Sequence, residues 1–530
     1  DCIVPSNYWH HAKHGGLKIV EIIRGSFHYL LKTHHQISTL LPDMQKTNRR
    51  KFIGASLATG TGLTLTTTFN SAWAGVKGSN TDVRVGVIGC GGKGSAHARH
   101  LKSLKSKGVR VTGVCDPDTT ALARQKKTFA DSKTKINTYT DIRKFLEDKE
   151  VDAVIIATPN HWHTLAAIWA LQAGKHVYVE KPVSHNIWEG GQLVKAAEKY
   201  SNLIVQHGMQ RRSANGWNEI MEWIKDEPLG KMLYSHGFCY KPRKSIGKVQ
   251  GPQKPPETLN YELWSGPRGK LPIMRSRFHY DWHWQWPYGN GDIGNQGPHQ
   301  LDVARWVLGQ DSLPTSVISV GCRLGYDDDG TSANTQIAYF DYKPCPLIFE
   351  VRGLPRKGLD WNNGMDNYKG IRIGNVIHFE GGHIAENRAF DKDGKTIKKF
   401  GDVSGRGHLE NYIKSIQTGN QLYTSKVHHG HWSAGLAHMA NTSYRIGSTS
   451  TPEVVQEVIG DNKSFRESFD RLGQHLDSNG IDFAKDKVSL GANLIMDPET
   501  EEFTGKAQAA KANKIEKGIY KAPYTVPKKV

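Results

Sequence analysis

The residues best suited to chemistry begin with Gly89-Cys90-Gly91-Gly92-Lys93-Gly94, a G-x-G-x-x-G run in which Gly89, Gly91 and Gly94 are the spaced glycines and Gly92 an added one. The first glycine of such a run permits a tight turn, the second lets backbone approach a pyrophosphate, and the third lets a helix pack closely. The positive end of that helix attracts phosphate. Asp116 follows about 20 residues later, where a carboxylate accepts ribose hydroxyl bonds and repels a 2′-phosphate, favouring NAD over NADP. Two polar clusters come next, Pro159-Asn160-His161-Trp162-His163 and Glu180-Lys181-Pro182. Gln210-Arg211-Arg212 is either a set of ligands for cofactor or substrate oxygens, with Gln210 toward cofactor and Arg211 toward substrate, or a solvated basic turn. The run from His279 to Tyr288 is dense in aromatics and includes Trp284. Aromatic faces stack on sugar rings while polar edges bind hydroxyls, although a packed loop has the same composition. Its histidines do not need a metal to explain them, and no metal is expected.

These groups need elements to hold them. Val83 to Ile88 is a short apolar strand ahead of the glycine run, Ser95 to about Lys107 suits a helix, and Val109 to Cys115 is a second strand ending at Asp116. Strand–loop–helix–strand–Asp is a far more specific signal than a lone glycine motif. A glycine-rich turn without a dinucleotide, or a flavin or S-adenosylmethionine site, are the competing readings. Asp152 to Ala157 is a continuous apolar strand, Thr164 to Ala173 a helix stopped by Gly174, and His176 to Val179 and Asn202 to Gln206 are further strands. The alternation implies an α/β fold with a doubly wound parallel sheet, which binds ligands outside the carboxyl ends of its strands. Both polar clusters fall at those ends. Val317 to Cys322, Thr335 to Phe340 and Leu347 to Val351 read as strands of a second sheet, and Trp432 to Arg445 as a helix.

The run DAVIIATPNHWHTLAAIWALQAGKHVYVEKP, and later GNGDIGNQGPHQLDVARW, resemble the glucose–fructose oxidoreductase, inositol dehydrogenase and rhizopine-catabolism (Gfo/Idh/MocA) family from about Val83 to the C-terminus. The resemblance implies a Rossmann domain followed by an α/β domain with an open, largely antiparallel sheet that often forms an oligomer interface. It implies oxidation or reduction of a secondary alcohol on a sugar or cyclitol. One branch cleaves glycosides by transient oxidation and elimination, regenerating NAD each turnover. Lys181 matches the family lysine at the substrate and nicotinamide, where its charge stabilises a developing alkoxide. Pro182 suits a special turn there, such as a cis bond. His299 matches the family's proton acceptor, a task for an imidazole with a pKa near neutrality. Asp292, Asn295 and Asp302 are expected on the substrate. The family often has aspartate where this chain has Asn295, which cannot raise the basicity of His299 through charge.

The remaining sequence bounds this reading. Hydrophobic content of 37%, charged content of 23% and a formal charge of +19 suit a folded protein with a basic surface. No zinc-finger spacing or other nucleic-acid signature accompanies that charge, and no long uninterrupted apolar run suggests a membrane span. None of the six cysteines forms a C-x-x-C pair, so all are read as unpaired thiols. Met44 opens a stretch with paired Arg49 and Arg50, a weakly apolar segment and Ala72-Trp73-Ala74, which resembles a twin-arginine export signal and implies a periplasmic or otherwise exported protein. Residues 1–43 are expected to be a mis-called leader and 44–74 the signal. The NAD-binding domain is expected over 75–212, a substrate and oligomerisation domain over 213–460, and a C-terminal extension packed on that second domain over 461–530. A dehydrogenase, an NAD-recycling glycoside-cleaving enzyme and a non-catalytic sugar-binding protein remain the alternatives.

Overall fold

The computed structural model describes residues 82–130, 135–482, 485, 488–505 and 507–530. The leader and export-signal expectations, and Cys2, lie outside the described residues. Cys90, Cys115, Cys239 and Cys345 are free thiols.

Strand β1 (Val83–Ile88) is buried along its whole length, as a strand covered on both faces must be, and admits Arg84 only with Asp152 and Glu150 paired to its guanidinium. With β2 (Val109–Cys115), β3 (Asn137–Tyr139), β4 (Ala153–Ile156), β5 (His176–Val179) and β6 (Val205–His207) it forms a six-stranded sheet in the order β3-β2-β1-β4-β5-β6. Every pair is parallel. The intervening helices are α1 (Gly92–Ser103), α2 (Thr119–Thr128), α3 (Ile142–Leu146), α4 (Asn160–Gln172) and α5 (Ile187–Lys199). Asp118, Asp141 and Asn186 cap α2, α3 and α5 through side-chain oxygens, whereas α1 starts after Gly91 with no side-chain cap. Its first amides are therefore left for a ligand. The strand order reverses between β1 and β4, and the crevice that this reversal opens lies at the carboxyl ends of both.

Helix α6 (Asn215–Trp223) leads to β7 (Met232–Cys239), then to an irregular excursion over 240–290 that contains α7 (Tyr261–Ser265). Helices α8 (Gly291–Asn295) and α9 (Gly297–Val307) follow. The second sheet adds β8 (Ser316–Cys322), β9 (Thr335–Phe340), β10 (Leu347–Arg352), β11 (Ile373–Phe379), β12 (Gly382–Ala385), β13 (Arg388–Asp391) and β14 (Thr396–Lys399). After α10 (His408–Thr418) and α11 (Val427–Ile446) come β15 (Ser448–Ser450), α12 (Pro452–Ile459), α13 (Lys463–Ser478), β16 (Val488–Leu490), β17 (Leu494–Asp497), β18 (Glu502–Thr504) and α14 (Ala507–Lys517). The main order is β14-β13-β12-β11-β7-β10-β9-β8-β16-β15, with β17 on β8 and β18 on β17. Only β7 and β10 pair in parallel, so the sheet is mixed and largely antiparallel.

Leu301 and Ala304 of α9 and Leu436, Ala437 and Ala440 of α11 pack on one face of this sheet. Phe465, Phe469, Leu472 and Leu476 of α13 cover the other face over β8 to β10. Two segments cross back to the Rossmann domain. Leu409, Tyr412 and Ile413 of α10 join its core. The last residues do the same: Tyr524 meets Trp162 and Trp169, Gln192 donates to the carbonyls of Pro527 and Lys528, and Tyr520 bonds Glu189. This corrects the expectation that the whole extension packs on the second domain. Helix α13 does, but the tail binds the Rossmann helices because their outer faces offer the aromatic and amide partners. No helix among the described residues is long and apolar enough to cross a membrane.

Candidate functional site

A cavity of about 550 Å³ runs along the carboxyl ends of the parallel strands. Gly89, Gly91, Gly92 and Lys93 line one part, and Lys181 and Asn295 another. The glycine run meets the requirements of a dinucleotide cradle. Gly89 has φ +85°, and a Cβ there would stand 2.7 Å from the Ala157 backbone. A Cβ on Gly94 would stand 1.7 Å from the Gly89 carbonyl oxygen, so the third glycine sits beneath the loop rather than in the cavity. Around Gly91 and Gly92 there is open space, where a pyrophosphate fits against the uncapped start of α1.

Asp116 lines the same cavity and also shapes the loop. Its Oδ2 accepts from the Cys90 amide at 2.7 Å and its Oδ1 from the Asp118 amide at 2.9 Å. Burial pushes its pKa up, and the two amides oppose that. Asp118 caps α2 and accepts from Thr258 Oγ1 at 2.7 Å, and its Oδ2 lies 2.8 Å from His279 Nε2. Main-chain bonds from Thr119 to Thr258 and from Asn260 to Pro117 reinforce this contact, so the 240–290 excursion closes over the dinucleotide end.

At the other end, buried Glu180 takes a hydrogen bond from His97 at 2.7 Å, lies 3.3 Å from Lys93 Nζ, and accepts from the Lys181 amide. Burial opposes its ionisation, but the His97 bond and the Lys93 and Lys181 charges outweigh that and hold its pKa well below the ordinary value. The Lys181–Pro182 peptide is cis. Lys181 Nζ donates to the Asn295 carbonyl oxygen and stands 3.5 Å from Asn295 Oδ1. Burial pushes the Lys181 pKa down to about 8, with Glu180 opposing and Lys93 and Arg243 adding to the fall. Half-buried His299 is not among the cavity lining and departs from the near-neutral imidazole expected from the sequence: burial and the Lys181 charge push it down to about 3, and its Nδ1 has no hydrogen-bond partner among the described residues.

Several residues expected at the site lie elsewhere. Pro159 and Asn160 line the cavity, but His161 is buried behind it, its Nε2 3.0 Å from the Trp264 carbonyl oxygen and its ring packed on Tyr288. The start of α4 at Asn160 turns that side chain inward. Asp302 is fully buried, with Arg212 bonded to both oxygens at 2.8 and 2.9 Å and Ser433 at 2.7 Å, so it has no oxygen free for substrate. Trp284 is also buried and donates to Asp292 Oδ2 at 3.1 Å, while Arg243 stands 3.6 Å from Oδ1; neither Trp284 nor Asp292 is among the cavity lining. Gln210 is likewise outside the lining, and Arg211 is paired with Glu386 at 3.0 Å.

Other lining residues were not singled out as site residues from sequence. Lys93 lies inside the glycine run and faces Glu180, a position the motif alone could have suggested. Tyr280, Trp282 and His283 of the aromatic run wall the cavity, whereas Trp284 and Tyr288 of the same run enter the core. His283 stacks on Trp282 at 3.7 Å, and its Nδ1 donates to the Tyr280 carbonyl, leaving Nε2 as an acceptor. Burial, with the Lys181 and Arg243 charges, keeps this ring neutral down to about pH 3.

A Rossmann domain with a cavity over its strand ends, closed by a second domain built on a large mixed sheet, defines a class of dinucleotide-binding proteins. The profile of the NAD-binding Rossmann fold of the Gfo/Idh/MocA oxidoreductase family matches residues 83–208, and that of the family's C-terminal α/β domain matches residues 224–467. The chain belongs to this family. It is 30% identical over 181 residues to inositol 2-dehydrogenase of Salmonella typhimurium, covering 34% of this chain and 52% of that one. It is 34% identical over 208 residues to glycosyl hydrolase family 109 protein 2 of Shewanella sp. strain ANA-3, covering 35% and 44%. The chain thus spans about half the length of the curated relatives it matches. The fold is similar to that of the WlbA dehydrogenase of Bordetella pertussis, solved with NADH and UDP-GlcNAcA, with a TM-score of 0.52, 19% identity, and coverage of 69% of this chain and 96% of that one.

Proposed function

We propose that this chain is an NAD-dependent oxidoreductase that moves a hydride to or from a secondary alcohol carbon of a sugar, glycoside or cyclitol. The observation that carries the reading is a single cavity joining the glycine cradle and Asp116 to Lys181, Asn295 and an aromatic wall. When bound, NAD supplies the hydride acceptor or donor. Gly91, Gly92 and the start of α1 hold its pyrophosphate, and Asp116 its ribose. Lys181 and Asn295 hold the reacting hydroxyl, His283 Nε2 accepts from a neighbouring one, and the rings of Tyr280 and Trp282 flank the sugar and exclude water. His299 is not among the residues that line the cavity, and burial keeps it neutral. The names of the inositol dehydrogenase relatives support a polyol substrate. The test is purified protein given free sugars, inositols and aryl glycosides, with NADH absorbance and aglycone release read together. NADH formation without release supports the dehydrogenase, and neither signal on any sugar refutes an enzymatic role.

A second reading, NAD-recycling glycoside cleavage, is favoured by one feature: the Asp118–Thr258–His279 contact closes the dinucleotide end, which suits a cofactor retained through turnover. The family 109 relatives fit it, and aglycone release without net NADH would identify it. Two further proposals complete the reading. The arginine pair at 49 and 50 directs export to the periplasm. The protein forms a homo-oligomer through the half-exposed sheet face where Tyr234, His378, His383 and Phe390 stack ring on ring across β7, β11, β12 and β13.

A further inference from the structure

The excursion over 240–290 carries the aromatic wall of the cavity, Trp264, Tyr280, Trp282 and His283, yet among the described residues it contributes no strand to either sheet. Its root is the turn Gly266-Pro267-Arg268 that follows α7. Gly266 has φ +40°, and a Cβ there would stand 2.1 Å from the Trp162 ring, so the turn lies flat on α4. Trp162 Nε1 donates to the Trp264 carbonyl at 2.8 Å, and Tyr524 packs edge-on against the Trp162 ring. Residues 518–521 grip the same turn. The Lys521 amide donates to the Pro267 carbonyl at 2.9 Å, and Arg268 Nη1 donates to the Ile519 carbonyl at 2.9 Å. Arg268 Nη2 donates to Glu189 Oε1 at 3.0 Å, the Tyr520 hydroxyl donates to the same oxygen at 2.8 Å, and Asn186 Nδ2 donates to the Tyr520 oxygen at 3.1 Å. This junction is closed to water: the Arg268 and Glu189 side chains are 8% and 1% exposed. Gly518, at φ +66°, permits the approach, since a Cβ there would stand 2.7 Å from Asn186 Nδ2.

Both sides of this grip are anchored away from the cavity. Before it, Glu516 of α14 accepts from the Ile187 amide and from the Thr442 hydroxyl, and after it Gln192 holds the Pro527 and Lys528 carbonyls. We propose that residues 518–530 are a strap, with Arg268, Glu189 and Tyr520 its clasp, that fixes the aromatic wall against the Rossmann helices and so sets how fast the dinucleotide leaves. The inference rests on NAD occupying the cavity and is independent of which sugar is turned over. The three clasp residues are positioning residues, since none of them lines the cavity. They act through Trp264, two residues ahead of Gly266. Its ring lies 4.7 Å from Phe278 and 4.8 Å from Tyr288, so a shift at the turn passes to the run that holds Tyr280 and Trp282. The Asp118 contact with Thr258 and His279 pins the excursion at a second, separate point. With the clasp open, the wall is free to swing about that point.

The decisive variant is E189Q/R268M in the full chain, which opens the clasp without leaving a buried charge unpaired. Loaded with NADH, it should show faster amide hydrogen exchange over 258–288 by mass spectrometry, with β1 and β4 unchanged. NADH release, read in stopped flow by energy transfer from tryptophan, should speed about tenfold, the fold-change that loss of one charged hydrogen bond supports. A chain ending at Lys517 should show both changes more strongly. Y520F loses only the hydroxyl bonds to Glu189 and Asn186, should shift both readouts in the same direction by less, and decides the matter if the other two variants fail to fold. Unchanged release with unchanged exchange over 258–288 in a folded variant overturns the proposal. So does faster exchange spread evenly over both domains, with a lowered urea midpoint and normal release, because that is a general loss of stability and not an opened wall. Wild-type protein that binds no NADH overturns the cofactor reading of the cavity and this inference with it, a failure visible before any variant is made.

Discussion

Asp302 separates a reading of spacing from a reading of structure. Its place in GDIGNQGPHQLD suggests a substrate ligand, yet its side chain and that of Arg212 are 0% and 1% exposed and bound to one another twice. Ser433 donates a third bond, Arg305 lies 3.7 Å away, and Arg212 stacks on Trp306. In Asp302→Asn the shape persists but the charge goes, leaving two buried guanidiniums that repel each other. Removing one partner of a buried pair costs about 3–5 kcal/mol. Against a total stability of about 5–15 kcal/mol, that is a large fraction. Urea unfolding at pH 7 should show it as a lower midpoint at unchanged slope. The pH dependence carries a second signature. Burial opposes ionisation of Asp302, but the Arg212 and Arg305 charges hold its pKa well below the ordinary value. A carboxyl depressed in the folded state contributes fully above its unfolded pKa, about 3.9, and loses that contribution as pH falls from there toward the folded value. The gap between wild type and Asp302→Asn should therefore be constant above about pH 5 and shrink below pH 4. A variant with the wild-type unfolding curve and weakened sugar binding would refute this account and return Asp302 to the cleft.

Three further outcomes follow from the site. Asp116→Ala removes the acceptor of the Cys90 and Asp118 amides, so NAD affinity in calorimetry should fall by about 1.5–3 kcal/mol; wild-type protein that prefers NADP would contradict the assignment. Combining Thr258→Val with His279→Ala opens the contact to Asp118 and should speed NADH dissociation by up to about tenfold, equivalent to roughly 1.4 kcal/mol. Stopped-flow energy transfer from Trp264 and Trp282, which line the cavity, reads that rate, and an unchanged rate would mean the excursion does not retain the cofactor. Changing Arg49 and Arg50 to Lys should leave the protein in the cytoplasm, and unchanged recovery in the periplasm would exclude twin-arginine export.

The Rossmann half was legible because its physics is local. Strands β1, β2 and β5 have the bounds that the apolar runs suggest, because a parallel strand buried on both faces is apolar along most of its length. Helix α4 begins at Asn160 rather than Thr164, since PNHWH forms its first turn, and that shift carries His161 into the core. Strands β8 to β10 were visible as well, but β7 and β11 to β14 were not. MLYSHGFC and GHIA mix polar and apolar residues without a clean period, because one face of this sheet meets α9 and α11 while the other is partly open. The site was legible at the glycine run and at Glu180-Lys181-Pro182, where a motif of consecutive residues fixes the geometry. It was illegible where a side chain's role depends on what another segment brings to it. Asp302 and Asn295 lie seven residues apart on neighbouring helices, yet one meets Arg212 in the interior and the other meets Lys181 in the cavity. Spacing identifies both as polar residues near a conspicuous histidine. Only the partner across the gap turns the first into a stabilising ion pair and the second into a neutral acceptor for a lysine of the cavity.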